Sequence, residues 1–306
     1  MMMFGFINLN KPTGFTSHDC IAKLRKLLNQ RKIGHGGTLD PAATGVLPIA
    51  VGKATRLLQF LPDFKAYQAR IRLGVTTTTD DLEGEIIKQV DRFDLDQEQI
   101  IDCLKGFIGT IEQVPPIYSA IKKDGRKLYD LARRGEEITV EARKVTISEL
   151  KLLNITRQEF LELEVEISCG PGTYIRAIAR DLGEQLGVGG TLANLVRTQS
   201  CGLSLKNSLT FAEIEDRLNR QTFELIEPSL LLGHLDTFTL CEDDSERWCQ
   251  GQLIDLDRAV SSSNEISRFI PEYYLATYGT KGSFLGMSIL YERNGIFKLK
   301  PKIVLV

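Results

Sequence analysis

Hydrophobic and polar positions follow two different periods along the first 230 residues of the chain. After Thr16 or Ser17, either of which would cap a helix, apolar residues recur at helical spacing (Ile21, Leu24, Leu27 and Leu28). Residues 67–73 instead alternate with a period of two, as in a strand. The same criteria predict strands at 7–10, 145–153 and 160–167, and helices at 97–105, 127–134, 174–186 and from Thr210 onward. The irregular order of these elements predicts an α+β fold, not a regular βαβ fold.

Turns and helix ends are predicted from glycine and proline. Lys11–Gly14 has the composition of a turn, Gly34 is expected to end the first helical segment, and glycines 106, 135 and 187 end later helices. After residue 230 the pattern changes to short extended segments, an acidic stretch and glycine turns. We therefore expect a larger domain over residues 1–230 and a small β-rich domain over residues 231–306.

Composition restricts the class of protein. The chain has 306 residues, of which 42% are hydrophobic and 25% charged, as in a globular protein. It has no apolar run of membrane-spanning length and no secretion signal at its start, so no membrane contact and a cytoplasmic location are expected. Six scattered cysteines and three histidines give no paired metal-binding spacing. We expect neither a metal site nor a disulfide framework.

Charge is segregated along the chain although its net value is only −2. Residues 1–60 carry eight Lys and Arg against two acids, whereas residues 233–260 carry two Arg against seven acids. Basic clusters at 23–31 and 122–127 suit contacts with phosphates, which bind without sequence specificity. The alternative is that these clusters are ordinary solvated surfaces.

One short segment presents a single acid in a setting suited to chemistry. Asp40 follows a glycine-rich turn that begins at Gly34 and His35, and it precedes Pro41. The proline disfavours helical backbone angles at Asp40, and the glycines permit close approach of a ligand. The alternative is an ordinary polar turn, because these residue types are common in turns.

A set of ordered motifs resolves this ambiguity. The motifs are Lys11-Pro12-x-Gly14-x-Thr16-Ser17; Gly34-His35-x-Gly37-x-Leu39-Asp40-Pro41-x-Ala43-Thr44-Gly45-Val46-Leu47-Pro48; Tyr67 before Leu73-Gly74; Thr77-x-Thr79-x-Asp81 with Gly84; Pro115-Pro116-x-Tyr118-Ser119-Ala120-x-Lys122; Gly125-Arg126-Lys127-x-Tyr129-x-x-Ala132-Arg133-x-Gly135; and Gly172-Thr173-Tyr174-Ile175-Arg176. Together they resemble the TruB family of bacterial tRNA pseudouridine-55 synthases over about the first 210 residues. Cys201 departs from the pattern, because members often have glycine there; this change concerns packing.

The resemblance implies a fold and an activity. It implies a central, mostly antiparallel mixed sheet flanked by helices, with a small PUA-like domain at the C-terminal end. It implies that the uridine of the tRNA T-loop is flipped out and isomerised to pseudouridine without a cofactor. The expected partner is tRNA, with no obligate protein partner, and the expected state is a monomer.

The resemblance also implies roles for individual residues. Asp40 is the catalytic acid, Tyr67 stacks on the flipped uracil and accepts the C5 proton, and Arg176 orients the Asp40 carboxylate. His35 fills the space that the flipped base leaves. The remaining substrate-binding candidates are Tyr174, Leu195, Lys11, Lys122 and Arg133, where Lys122 and Arg133 are expected to contact the tRNA backbone and Lys11 is also a candidate support of the Asp40 loop.

Several alternatives stay open on the sequence alone. The role of Asp40 has three alternatives: it attacks the ribose, it attacks the base, or it removes a sugar proton. The motif around Asp40 holds no second acid, which favours isomerisation over hydrolysis. Tyr67 and Leu195 also suit core packing, and either Asp80 or Asp81 suits a turn cap. Two rival functions are a dyskerin-like subunit that works with a guide RNA and an RNA-binding factor that helps tRNA to fold.

Overall fold

The structure is a computed structural model that describes residues 4–119, 121–123, 126–128, 139–256, 273–293 and 295–305. Its strands are β1 (Gly5–Lys11), β2 (Ile33–His35), β3 (Thr44–Val51), β4 (Lys65–Leu73), β5 (Val75–Thr77), β6 (Ile86–Gln89), β7 (Gly109–Gln113), β8 (Lys122–Lys123), β9 (Arg126–Lys127), β10 (Arg143–Arg157), β11 (Leu161–Cys169), β12 (Gly190–Ser200), β13 (Leu203–Ser204), β14 (Thr237–Thr239), β15 (Ile254–Leu256), β16 (Tyr273–Tyr278), β17 (Phe284–Arg293) and β18 (Ile296–Val304). Its α-helices are α1 (Ser17–Leu27), α2 (Gln97–Lys105), α3 (Ile175–Gln185), α4 (Phe211–Asn219), α5 (Pro228–Leu231) and α6 (Glu242–Cys249). Two 3₁₀ helices cover Gly52–Phe60 and Leu205–Asn207.

A large mixed sheet organises the first 210 residues. Its strand order is β1-β3-β12-β4-β11-β10-β7, with β2 added to β3 and β13 added to β12. All pairs are antiparallel except β3 with β12, which run parallel. The predicted α+β fold with a mostly antiparallel mixed sheet is confirmed. The parallel contact matters most for function, because it joins the strand that follows the Asp40 loop to the centre of the sheet.

The main core lies between this sheet and helices α2 and α3. Inward residues of β4 alternate as predicted, with Tyr67, Ala69, Ile71 and Leu73 all buried. Apolar residues of α2 and α3, such as Ile100 and Ile178, cover the same cluster. Burial of these apolar side chains supplies the main favourable free energy of folding.

Helix boundaries agree with the predictions where side chains or glycines set them. Thr16, and not Ser17, caps α1 and forms a capping box with Asp19; Thr210 does the same with Glu213 for α4. Gly187 follows the end of α3 with a φ of +74°. The predicted helix at 127–134 lies mostly outside the described residues, and so does its stop at Gly135.

Two local predictions near the N-terminus are wrong. Gly34 does not end the first helix, because α1 ends at Leu27 and Gly34 lies in β2. Asn29 makes the left-handed turn that we had not recognised, with a φ of +45°. Lys11 is not a turn residue either, since it is the last residue of β1 and pairs with Gly45 of β3.

The C-terminal part is β-rich, as predicted, but it includes a helix that the pattern did not reveal. Strands β14-β16-β17-β18-β15 form a second sheet. The acidic stretch forms α6, whose first turn holds Glu242, Asp243 and Asp244, where acids suit the helix dipole. Trp248 of α6 is fully buried, and its indole Nε1 donates to Ser288 Oγ at 2.9 Å.

The second sheet packs against the first through shared core residues. Phe6 and Val46 of the large sheet belong to one buried cluster with Met287 and Ile303 of the small sheet. The rings of Phe60 and Tyr274 also meet edge to face, with centroids 5.1 Å apart. The domain boundary at residue 230 stays a prediction, because the two parts share this core. Among the described residues, no helix is both long enough and apolar enough to cross a membrane.

We predict that Gly45→Ala strongly destabilises the fold. Gly45 has a φ of +101°, and an added Cβ would lie 2.3 Å from the Arg197 backbone oxygen, so β3 and β12 would have to separate. We expect the free energy of unfolding to fall by about 3 kcal/mol or more, as measured by urea denaturation. Gly251→Ala is the control, because Gly251 also has a positive φ of +88° but an added Cβ meets nothing within 4 Å. Its expected cost is about 1–2 kcal/mol. Equal losses in the two variants would contradict the proposed clash.

Candidate active site

The Asp40 loop links β2 to β3 and is fixed mainly by backbone contacts. The Gly36 amide donates to the Pro48 carbonyl at 2.8 Å, and the Gly14 amide donates to the Pro41 carbonyl at 2.9 Å. A Cβ on Gly36 would lie 3.0 Å from Cys201 Sγ. Gly36 is therefore needed for packing inside the protein, whereas the sequence had suggested only the approach of a ligand.

The predicted contact between Asp40 and Arg176 is present. Arg176 Nε lies 3.0 Å from Asp40 Oδ2. The arginine side chain is only 7% exposed, whereas the aspartate side chain is 40% exposed. The carboxylate thus keeps one side open to a ligand while a buried cation holds the other side.

Arg176 contacts Asp40 through one nitrogen, Nε, and its other two nitrogens bind elsewhere. Its Nη1 donates to the Thr79 carbonyl and its Nη2 to the Tyr118 carbonyl, each at 3.0 Å. Nη1 also lies 3.6 Å from Asp81 Oδ2. Because every nitrogen of the guanidinium has an acceptor, its plane is fixed and the single bond to Asp40 has a defined direction.

Tertiary structure brings further acids to the site. Asp81 approaches Arg176, and its Oδ1 also accepts from the Glu83 amide at 3.1 Å, so Asp81 is both a turn cap and a partner of Arg176. Burial, followed by the charges of Asp81 and Asp40, raises the pKa of Glu83. The sequence motif around Asp40 lacks a second acid, but in the folded protein other acids lie near the site. The motif therefore gives no argument against hydrolysis.

Tyr67 lies in β4 beside Arg197 of β12, its partner in the antiparallel register. The ring packs in the main core, and the residue is 6% exposed. Burial raises the pKa of Tyr67 to about 12, although the positive charge of Arg197 opposes the increase. The phenol therefore carries its proton at neutral pH.

Arg197 is a site residue that the sequence did not single out. It is fully buried, and its guanidinium donates to the carbonyls of Val46 at 2.7 Å, Gly37 at 3.1 Å and Thr38 at 3.2 Å. Gly37 and Thr38 belong to the Asp40 loop. Arg197 thus connects this loop to β3 and to Tyr67. The sequence motifs above do not include Arg197, although it lies only four residues before Cys201.

Lys11 supports the same loop from the other side. It is fully buried, and its Nζ donates to the carbonyls of Phe15 at 2.7 Å, Pro12 at 2.9 Å and Pro41 at 3.1 Å. Burial lowers its pKa, although the charge of Asp40 acts in the opposite direction. With three acceptors in the protein, Lys11 suits the supporting role better than contact with substrate.

His35 stands at the start of the loop and is half-buried. Its Nδ1 accepts from the Gly37 amide at 3.3 Å, which leaves Nε2 as the protonated nitrogen of a neutral ring. Burial is the main cause of its lowered pKa, and His18, whose ring lies edge-on at 5.8 Å, lowers the pKa further. The imidazole is thus uncharged at neutral pH.

The remaining candidate residues differ in how closely they meet the site. Tyr174 is the N-cap residue of α3, and Gln113 binds both its amide and its carbonyl, at 2.9 and 3.1 Å. Leu195 is buried in the main core beside Ala69. Lys122 is described only as part of the backbone pair β8–β9, and Arg133 lies outside the described residues.

Comparisons with known proteins identify the family. Residues 25–175 match the description "TruB family pseudouridylate synthase (N terminal domain)". Among curated relatives, "tRNA pseudouridine synthase B" of Gloeothece citriformis is 55% identical over 96% of this chain and 93% of its own length. The protein of the same name from Trichormus variabilis is 56% identical over 83% of this chain and 87% of its own length.

A solved structure shares the fold over almost the whole chain. It is a chain of an H/ACA RNP bound to a substrate RNA containing 2'-deoxyuridine, with a TM-score of 0.72 and 24% identity. The match covers 99% of this chain and 85% of that one. Since the curated relatives match at more than half of the aligned positions over most of the sequence, this chain belongs to the TruB family of pseudouridylate synthases.

Proposed function

We propose that this protein is a tRNA pseudouridine-55 synthase that isomerises the T-loop uridine. The observation that carries the proposal is the half-open Asp40 carboxylate held by buried Arg176, in a chain 55% identical to a protein named tRNA pseudouridine synthase B. Isomerisation breaks the N-glycosidic bond, rotates the uracil and joins C5 to C1′. The reaction changes no oxidation state, so no cofactor is required.

Asp40 is the proposed catalytic acid. Arg176 fixes its Oδ2, while the aspartate side chain stays partly exposed to solvent. An oriented carboxylate can attack C1′, attack the base, or remove a sugar proton. All three routes need Asp40, and the position of its carboxylate is compatible with each of them.

The target base must leave the T-loop stack before Asp40 can act on it. Flipping costs about a few kcal/mol of stacking free energy. The neutral His35 ring is placed to fill the vacated space, and Tyr67 is the proposed stacking partner of the uracil. Because its pKa of about 12 keeps Tyr67 protonated beforehand, Tyr67 would accept the C5 proton only as its own phenolic proton passes to water. Water in turn would protonate the N1 nitrogen that the broken glycosidic bond leaves, so protons balance. Tyr174 and Leu195 are proposed to line the uracil pocket, and Lys122 and Arg133 to meet tRNA phosphates.

The proposed working unit is a monomer that acts on tRNA in the cytoplasm without a protein partner. Residues 1–230 would form the catalytic domain, and residues 231–306 a PUA-like domain. The rival function, a guide-dependent subunit, predicts no activity without partner proteins. Pseudouridine formation by the purified chain on a bare tRNA transcript would exclude that rival.

Asp40→Asn should abolish turnover while leaving tRNA bound. The amide keeps the shape and a hydrogen-bond acceptor for Arg176 but cannot act as a nucleophile or base. With tRNA tritiated at uracil C5, we expect the native chain to release about one equivalent of tritium per tRNA and the variant none. A filter-binding assay should give both proteins similar affinity. Tritium release by the variant would remove Asp40 from the mechanism.

Arg176→Lys should lower the single-turnover rate by roughly 100-fold. Lysine keeps the charge, but an ammonium cannot reach Asp40, the Thr79 carbonyl and the Tyr118 carbonyl in one fixed plane. The measurement is tritium release with enzyme in excess over tRNA. A near-native rate would show that charge alone, and not the planar geometry, orients Asp40.

Tyr67→Phe should separate stacking from proton transfer. The variant keeps the ring and loses the hydroxyl. We expect tritium release to slow by roughly 100-fold, with the dissociation constant for tRNA unchanged within error. If the rate stays native, the Tyr67 hydroxyl takes no part in removing the C5 proton.

A further inference from the structure

Helix α3 carries a second arginine one turn after Arg176. Arg176 and Arg180 are four residues apart and therefore lie on the same face of the helix. The sequence drew attention to Arg176 only. The mechanism described above makes no use of Arg180, although its side chain is only 18% exposed.

Arg180 contacts the same two segments that Arg176 contacts. Its Nη1 lies 2.9 Å from Asp80 Oδ2, and its Nη2 donates to the Val114 carbonyl at 2.8 Å. Its Nε donates to Asp181 Oδ1 at 2.8 Å. Arg176 binds Thr79, which precedes Asp80 in the first segment, and Tyr118, which lies four residues after Val114 in the second. The two guanidinium groups therefore form two successive cross-links between the turn at 79–81 and the segment at 114–118.

The turn at 79–81 needs such a cross-link because its backbone is strained. Asp80 has a φ of +61°, a left-handed conformation that costs a residue with a side chain free energy. The Asp80 side chain is only 13% exposed, and its backbone carbonyl accepts from the Leu192 amide at 3.0 Å. Asp80 is thus fixed through its side chain by Arg180 and through its backbone carbonyl by the Leu192 amide. Its two neighbours in the chain, Thr79 and Asp81, are the residues that contact Arg176.

We propose that Arg180 and Asp80 are positioning residues that act through Arg176 on Asp40. Arg180 fixes the separation of the two segments that supply the carbonyl acceptors of Arg176. Those acceptors fix the guanidinium plane, and the plane fixes the direction of the bond to the Asp40 carboxylate. This inference rests on the proposed function, since it assumes that the orientation of Asp40 limits the rate of isomerisation.

The interaction differs from an ordinary surface ion pair. Exposed pairs contribute little, because water screens them and their side chains must be ordered. Arg180 and Asp80 are mostly shielded from water, and Arg180 also binds a backbone carbonyl of a distant segment. The pair Arg220–Asp216 of α4 gives the contrast: the N–O distance is similar, 3.0 Å, but the side chains are 72% and 53% exposed.

The test compares Arg180→Met with Arg220→Met, each in the full-length chain. We expect Arg180→Met to lower the single-turnover rate of tritium release by about 10- to 100-fold, because small displacements of reacting groups cost this much. The dissociation constant for tRNA should stay within about threefold of the native value, since Arg180 contacts none of the proposed substrate-binding residues. Arg220→Met should match the native chain in both measurements.

Three further variants distinguish positioning from a general loss of stability. Asp80→Asn keeps a residue type that tolerates a left-handed backbone, and it should reproduce most of the loss of rate. The double variant Asp80→Asn with Arg180→Met should be no slower than Arg180→Met alone, because both changes break one interaction. Arg180→Lys should fall between Arg180→Met and the native chain, since it keeps the charge but not the three contacts.

The outcomes separate this inference from the proposed function. Native rates in Arg180→Met and Asp80→Asn, with or without a lower melting temperature, would overturn the positioning role. An equal loss of rate and of tRNA affinity would also overturn it. If the native chain itself released no tritium, the proposed function would fail instead. If Arg180→Met does not fold, Asp80→Asn and Arg180→Lys give the same readout.

Discussion

The buried guanidinium of Arg176 is the interaction on which the rest of the site depends. A charged group shielded from water is costly unless it is fully hydrogen-bonded. Arg176 meets this requirement only when three separate parts of the chain lie in place: the Asp40 loop, the turn at Thr79 and the segment at Tyr118. The same requirement orients the Asp40 carboxylate. Folding and preparation of the active site are therefore one event, since the cation cannot be buried before its acceptors have assembled.

Arg197 repeats this principle on the opposite side of the loop. It is buried with backbone carbonyls as acceptors, and two of them belong to the Asp40 loop. Because β12 pairs with β3 on one side and β4 on the other, Arg197 can contact both the loop and Tyr67. Backbone carbonyls hold a guanidinium without neutralising its charge.

The C-terminal sheet bears on the site indirectly. It packs on the same side of the large sheet as Phe6 and the 3₁₀ helix Gly52–Phe60, which follows β3. Strand β3 directly follows the Asp40 loop in the chain. Packing of the C-terminal sheet against β3 and the 3₁₀ helix therefore restrains the strand to which the loop is attached. The acidic residues of α6 lie in the first turn of a helix whose buried face is Trp248. These acids lie in the first turn, where negative charge is favourable to the helix dipole. Their negative charge favours contact with solvent over contact with RNA phosphates.

The sequence by itself determined the elements whose signals are local. A helix cap at Thr16 or Ser17, a helix start at Thr210, the alternation of β4 and a helix end at Gly187 need only neighbouring residues. The structure confirms them, with Thr16 as the cap. Ordered motifs also identified the family and its candidate acid, Asp40. Tertiary structure alone decided which distant groups meet there: Arg197, Asp81 and Glu83 are far from Asp40 along the chain, and Gly36 is constrained by Cys201. A local pattern cannot encode these contacts, because sheet order and the burial of charge are settled only when all the strands have come together.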